Sequence, residues 1–264
     1  MSAGFDSPKS LISHAKEDLS NVIATSKEVF RRGGHEQIID REPETGHKRY
    51  KIRFAGKVPA RVSYDINNIL NNLRHSLDQG LVASVEALTG KRSGTIYFPF
   101  RTSKSDLGSW FLSKEFSAVP ADLYPLLQSF EPYPRGAGYA GGNDLLCAIA
   151  KIVGPNKHQV TIKAALNLGP SFKADTLRST GRVYMMGMPP IWDMANNEMV
   201  LATVADDCEL HYDLKFEFYV AFGDPGPLFR EPVIPVLNEF ASIAERIVLG
   251  LEAETSRILK NRTS

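Results

Sequence analysis

Two stretches of the chain carry side chains whose types and spacing could do chemistry. The first is 64–79, YDINNILNNLRHSLDQ, where Asn67, Asn71, Arg74 and Asp78 recur three or four apart, as do Asn68, Asn72, His75 and Gln79. On a helix each set makes one polar stripe. Arg74 supplies a permanent cation with a planar fork of donors, and the asparagines, Gln79 and His75 set neutral donors and acceptors around it. That composition suits an anion or a polar planar ligand. The second stretch, Asn156-Lys157-His158-Gln159, directly follows Gly154-Pro155. Lys157 could stabilise a developing anion while the imidazole of His158, titrating near neutrality, moves a proton.

Each feature also has a plainer reading. Arg74 and Asp78, four apart, make an intrahelical ion pair worth roughly 0.2–0.5 kcal/mol, and Lys157-His158 makes a turn. The ion pair leaves the asparagines unexplained, because solvated helix faces favour Glu and Lys over a mediocre helix former such as Asn. Cys208-x-x-His211, with Asp206, Asp207 and Asp213 nearby, holds soft and borderline zinc ligands. No second ligand pair with metal-like spacing accompanies it, so a turn followed by an outward strand histidine is the better reading, and no metal is expected. The nucleophile-elbow, P-loop, dinucleotide and HExxH signatures are absent, and no cofactor is expected.

These residues need a scaffold. Ile66, Ile69, Leu70, Leu73, Leu77 and Leu81 line one side of the 64–79 helix, which follows Pro59, continues to Leu88 and stops at Gly90. Before it, a helix opens at Ser7-Pro8, carries Leu11, Ile12, Ala15, Leu19, Ile23 and Phe30, and ends at Gly33-Gly34. A hairpin is expected over 37–55. Its second arm alternates Tyr50, Ile52 and Phe54 with Lys51 and Arg53, and with Arg31, Arg32, Lys48 and Arg49 it forms the one concentrated basic region, read as a solvated strand face. Past Gly90 the pattern predicts a short strand TIYFPF (95–100), helices over 105–112 and 121–129, and an irregular loop over 131–142. Asn143 should cap a helix that Gly154-Pro155 breaks. Strands are expected in VTIKAAL and over 181–186, 198–205 and 210–222, the last a continuous one-sided strand. A helix over 236–259 buries Leu237, Phe240, Ile243, Ala244, Ile247, Val248 and Leu251.

The expected fold is α+β: long helices packed with an antiparallel β-sheet, the C-terminal helix closing the core. We expect a single α+β domain over 1–264, with a helix–hairpin–helix part over 1–90 and a loop-rich segment, sheet and closing helix over 91–264. The 264 residues are 43% hydrophobic and 23% charged, ordinary for a globular chain. Thirty-one Lys and Arg against thirty Asp and Glu leave a net charge of +1, so no global field points to nucleic acid. Cys147 and Cys208 read as reduced thiols. Without a leader or a long apolar run, the expectation is a cytoplasmic protein away from membranes.

The order Asn72-Leu73-Arg74 … Leu77-Asp78-Gln79, then TIYFPF, then Glu131-Pro132-Tyr133, then Asn156-Lys157-His158-Gln159 resembles an uncharacterised family of bacterial and phage-borne proteins. Members carry an Asn-Leu-Arg-x-x-Leu-Asp-His helix and an Asp-Lys-His-Arg turn. Here Gln79 stands for the usual His, Asn156 for Asp and Gln159 for Arg. The helix also resembles the signature of the higher-eukaryote-and-prokaryote nucleotide-binding (HEPN) domains, with Arg74 and His75 at its first two positions and Gln79 where its closing histidine falls. This resemblance implies a metal-independent ribonuclease or a derivative of one, serving phage or mobile-element defence. Arg74 would bind phosphate and His75 or His158 would take a proton from a ribose hydroxyl.

Three functions follow as expectations. One is that ribonuclease acting on RNA, with Arg74, His75, Lys157 and His158 as catalytic residues. The second is a non-catalytic module whose Asn68, Asn71, Asn72, Asp78, Gln79 and Asn156 help enclose a small anionic or nucleotide-like ligand. The third is an interaction protein whose polar helix faces join a homo-oligomer. The first two require the 64–79 helix to meet the 156–159 turn.

Overall fold

A helix of thirty residues can be buried only if most of its sides are apolar, and the chain builds its core around one. The computed structural model describes residues 3–91, 96–156, 162–168, 173–186, 192–215, 218–223 and 226–263. After α1 (Asp6–Arg32), the 64–79 stretch lies inside α2 (Ala60–Thr89). Pro59 precedes the first turn, and Gly90 closes the last in the left-handed conformation (φ 69°), its N–H donating to the Glu86 carbonyl. All six stripe residues from Ile66 to Leu81 are at most 1% exposed.

The closing helix, α6 (Val233–Thr263), packs on α1 and α2, while α5 (Asp144–Asn156) packs on α2. Gly80 sits where α2 and α6 come closest: a Cβ there would lie 3.3 Å from Val248 Cγ2 and 3.4 Å from Leu251 Cδ1. Glycine inside a helix costs about 1 kcal/mol relative to alanine. Here the close approach of two helices offsets that cost.

The expected hairpin is β1 (His35–Arg41) and β2 (Lys48–Phe54). β2 pairs antiparallel with β7 (Glu198–Val204), whose other edge takes β5 (Val183–Met186) and β6 (Trp192–Asp193). Tyr50, Ile52, Phe54, Trp192, Met199, Leu201 and Val204 form a second apolar cluster, and Phe30 and Val58 pack against both it and the helical core. Two further antiparallel pairs join β3 (Ala164–Leu168) to β9 (Phe218–Phe222) and β4 (Lys173–Ser179) to β8 (Leu210–Lys215). With α6 packed on β9, the fold is α+β and its C-terminal helix closes the core, as expected. No helix among the described residues is long and apolar enough to cross a membrane.

Four local expectations are corrected. The 210–222 run forms strand as β8 and β9 on either side of 216 and 217, which lie outside the described residues, but it is not one-sided throughout, since Val220, Ala221 and Phe222 are all buried. Residues 96–100 join no ladder, because the Phe98 N–H is taken by the Asp78 carboxylate and Pro99 has none to give. α5 continues through Gly154 and Pro155 as far as Asn156, beyond which the described residues stop; a proline there removes one helical donor without breaking the helix. β4 and β6 lie in stretches where no strand was expected. Short helices do form at α3 (Lys104–Phe111) and α4 (Tyr124–Ser129), and the Asn143 carboxamide accepts the Leu146 N–H at 2.9 Å.

The basic hairpin is not a solvated cationic face either. Arg49 pairs with Asp40 at 2.8 Å, Lys51 bridges Asp40 and Glu198 at 2.8 Å each, and Arg53 reaches Glu198 at 2.7 Å. Arg31 and Arg32 pair with Glu28 on their own helix. Lys51 is only 8% exposed. The Arg49 bond holds the Asp40 carboxyl below its ordinary range. Burial pushes Glu198 up, but the Lys51 and Arg53 bonds outweigh it and leave that carboxyl lowered as well.

Two predictions follow from this packing. Gly80→Val should lower unfolding free energy by about 1–3 kcal/mol in urea titration, since overpacked helix contacts cost that much; an unchanged midpoint would remove the close-approach account. Carboxyls lowered by folding stabilise above their unfolded values near about 4 and lose that contribution as pH falls through the folded values. The urea midpoint should therefore drop in acid, and Lys51→Met should flatten that drop; parallel curves would contradict the network.

Candidate functional site

Arg74 leaves the flank of α2 half-buried, its side chain 15% exposed. Its Nη1 donates to Asp78 Oδ1 at 2.7 Å, and the same oxygen accepts the Phe98 N–H at 2.8 Å. The guanidinium carbon lies 4.3 Å from the centre of the Phe100 ring. Burial pushes the guanidinium pKa down, with the Asp78 carboxylate opposing.

Around it lies a cavity of about 570 Å³ lined by Arg74, Ile96, Tyr97, Phe98, Phe100, Arg101, Trp110 and Phe116. Three elements build it: α2, the irregular 96–101 segment, and α3 with the residues after it. Asp78 pins the segment at Phe98, and the Arg101 N–H donates to the Pro132 carbonyl at 2.8 Å. Ser103 caps α3 by accepting the Asp106 N–H, while the Asp106 carboxylate accepts the Thr102 N–H and hydroxyl, both at 2.9 Å. That reciprocal cap fixes the chain between Arg101 and Trp110. Their side chains stack, the Arg101 guanidinium carbon 3.9 Å from the Trp110 ring centre. The Trp110 indole N–H is buried without an acceptor among the described residues.

The remaining expected residues divide. Asn67, from the same stripe as Arg74, serves the fold: its carboxamide donates to the Ser63 carbonyl and exchanges bonds of 3.3 Å with both the carbonyl and the N–H of Ile162. Gln79 is exposed and accepts the Ser7 hydroxyl at 2.7 Å, and His75 is exposed. Neither lines the cavity, because on a helix they stand about 140° and 100° around from Arg74. Asn68, Asn71 and Asn72 are half-buried and lie outside the cavity lining. Asn156 lies in α5, and Lys157, His158 and Gln159 lie outside the described residues.

Sequence reasoning missed Phe100, Arg101 and Trp110. An arginine directly after a Phe-Pro-Phe run, with a tryptophan nine positions on, was the available signal for stacked cations. Elsewhere, Cys208 is fully buried and His211 exposed, so the Cys-x-x-His pair does not converge. Both cysteines are free, and burial pushes the Cys147 thiol up to about 11. Compared with models of protein families, with curated proteins and with solved structures, the chain matches none of them.

The pairing at Asp78 generates a prediction. Asp78→Ala strips a half-buried cation of its counter-charge and the Phe98 N–H of its acceptor, and should cost about 2–4 kcal/mol in chemical denaturation. Arg74→Met, which removes the cation as well as its fork, should cost markedly less. Equal losses would mean that Asp78 does not carry both contacts.

Proposed function

We propose that the protein is a non-catalytic binding module that holds a small anionic or nucleotide-like ligand in the cavity beside Arg74. One observation carries this reading: two arginines, each with its guanidinium carbon over an aromatic ring, line the same cavity. The planar guanidinium fork is suited to the oxygens of carboxylates and phosphates. The volume lies within the roughly 300–1,000 Å³ range of small-molecule sites, and the mixture of apolar wall and few polar groups is typical of them.

The ribonuclease reading keeps Arg74 as a phosphate contact but draws no imidazole from α2 into the cavity, and rests its proton transfer on His158. The binding reading needs only described residues, and is preferred for that reason.

A thermal-shift panel of inorganic phosphate, nucleoside monophosphates and carboxylates tests it. At a hundredfold excess over Kd a ligand adds about 2.7 kcal/mol, which for a chain of this size raises Tm by about 5–10 °C. Arg74→Ala should abolish the response while the unliganded protein still unfolds cooperatively. No response to any anion would overturn the proposal, as would cleavage of RNA in EDTA that His158→Ala abolishes.

A further inference from the structure

We infer that the open face of α2 docks an extended, uncharged polypeptide segment of a partner protein, held through its main chain by Asn68, Asn71 and Asn72. This surface is separate from the cavity, since none of the three asparagines lines it. A helix face that met only water would favour Glu or Lys over asparagine. On α2 the three share one flank with Tyr64 and His75, at spacings of three and four. All three are half-buried, yet no described residue bonds to their carboxamides, and the carboxamide atoms are not closed off from water. Each therefore presents an unused donor and acceptor side by side.

The same helix shows what such groups hold. Asn67 donates to the Ile162 carbonyl and accepts the Ile162 N–H, both at 3.3 Å, while Ser63 Oγ accepts the Ala164 N–H at 2.9 Å. Two helix residues four apart thus meet two residues of non-helical main chain that are two apart. The lengths agree: four helical residues rise about 6.0 Å, and two extended residues span about 6.6–6.8 Å. Asn68 and Asn72 repeat that spacing on the open flank, and Asn71 and His75 repeat it beside them. Charge complementarity selects the partner. Tyr64 and the asparagines are neutral, and the neighbouring Arg61 and Arg74 each pair with a carboxylate four positions on. A nucleic-acid strand is held chiefly through its phosphates and gains little from neutral carboxamides. The edge of an extended peptide offers N–H and C=O groups in alternation, which carboxamides meet with both of theirs. Tyr64, 56% exposed, and the exposed His75 stand at either end for its side chains.

A phage-displayed library of random nine-residue peptides, selected on the full chain and depleted on the Asn68→Ala, Asn72→Ala double variant, tests this. Recovered peptides, titrated calorimetrically, should bind each single variant about tenfold more weakly, the loss expected when a carboxamide's two hydrogen bonds are removed. Should an alanine variant fail to fold, Asn72→Asp keeps the shape, loses the donor and should give the same loss. Methylating the backbone nitrogens of a recovered peptide at alternate residues separates main-chain from side-chain recognition. One set should abolish binding and the other leave it nearly unchanged, because only one edge of an extended chain faces the helix. A library that yields no peptide lost on the double variant would overturn the proposal, as would binding indifferent to both methylated sets. A dimer of the free chain that Asn72→Asp dissolves in light scattering would assign the face to a second copy instead, and an RNA oligomer released by the same variants would assign it to nucleic acid; either result overturns the proposal.

Discussion

A helix enclosed by its neighbours must find a partner for every polar group it takes out of water, and α2 meets that requirement with main chain. Its polar flank bonds to main chain outside the helices: the Asn67 carboxamide to both the carbonyl and the N–H of Ile162, the Ser63 hydroxyl to the Ala164 N–H at the start of β3, and the Asp78 carboxylate to the Phe98 N–H. Buried backbone donors and acceptors cost free energy when left alone. The same contacts therefore place the 96–101 segment and the entry to β3. One wall of the cavity is 96–101, pinned at Phe98 by that carboxylate while Ile96 and Phe98 pack into the helical core.

This accounts for part of what made 64–79 unusual as a sequence. Asparagine is a poor helix former, yet its carboxamide can pair with a peptide group in both directions, as Asn67 does. The stripe containing Arg74 and Asp78 is a docking rail in its first half and one wall of a cavity in its second. The stripe containing His75 and Gln79 turns instead toward solvent and the start of α1, where Ser7 meets it. Two polar stripes on one helix thus answer to different surroundings, and only the first reaches the cavity.

Helical elements were legible in the sequence because their apolar spacing is long and regular: every residue of the stripes assigned to α2 and α6 is buried. The strands were less so. A run such as 210–222 alternates over most of its length, but alternation reports which way side chains point and not how deeply each face is covered, so the burial of both faces at Val220, Ala221 and Phe222 is a matter of tertiary packing. Residues 96–100 misled for a related reason. Aromatic and β-branched residues favour extended backbone, and extended backbone here serves a carboxylate instead of a ladder. Of the cavity, Arg74 was readable from its place on the helix. Arg101 and Trp110 were not, since their meeting depends on how the α3 cap folds the chain back.

The ion cluster at Lys51 has a consequence for strand alignment. Tyr50 and Lys51 flank an irregularity in the pairing of β2 with β7, the place where such a pair is most free to slip. Sliding β2 by one position would turn Lys51 toward Trp192 and Met199 and strand Asp40 and Glu198 without their cation. Apolar alternation alone penalises that shift; opposite charges from three strands, meeting at one ammonium, make the correct alignment the only one in which no charge is abandoned.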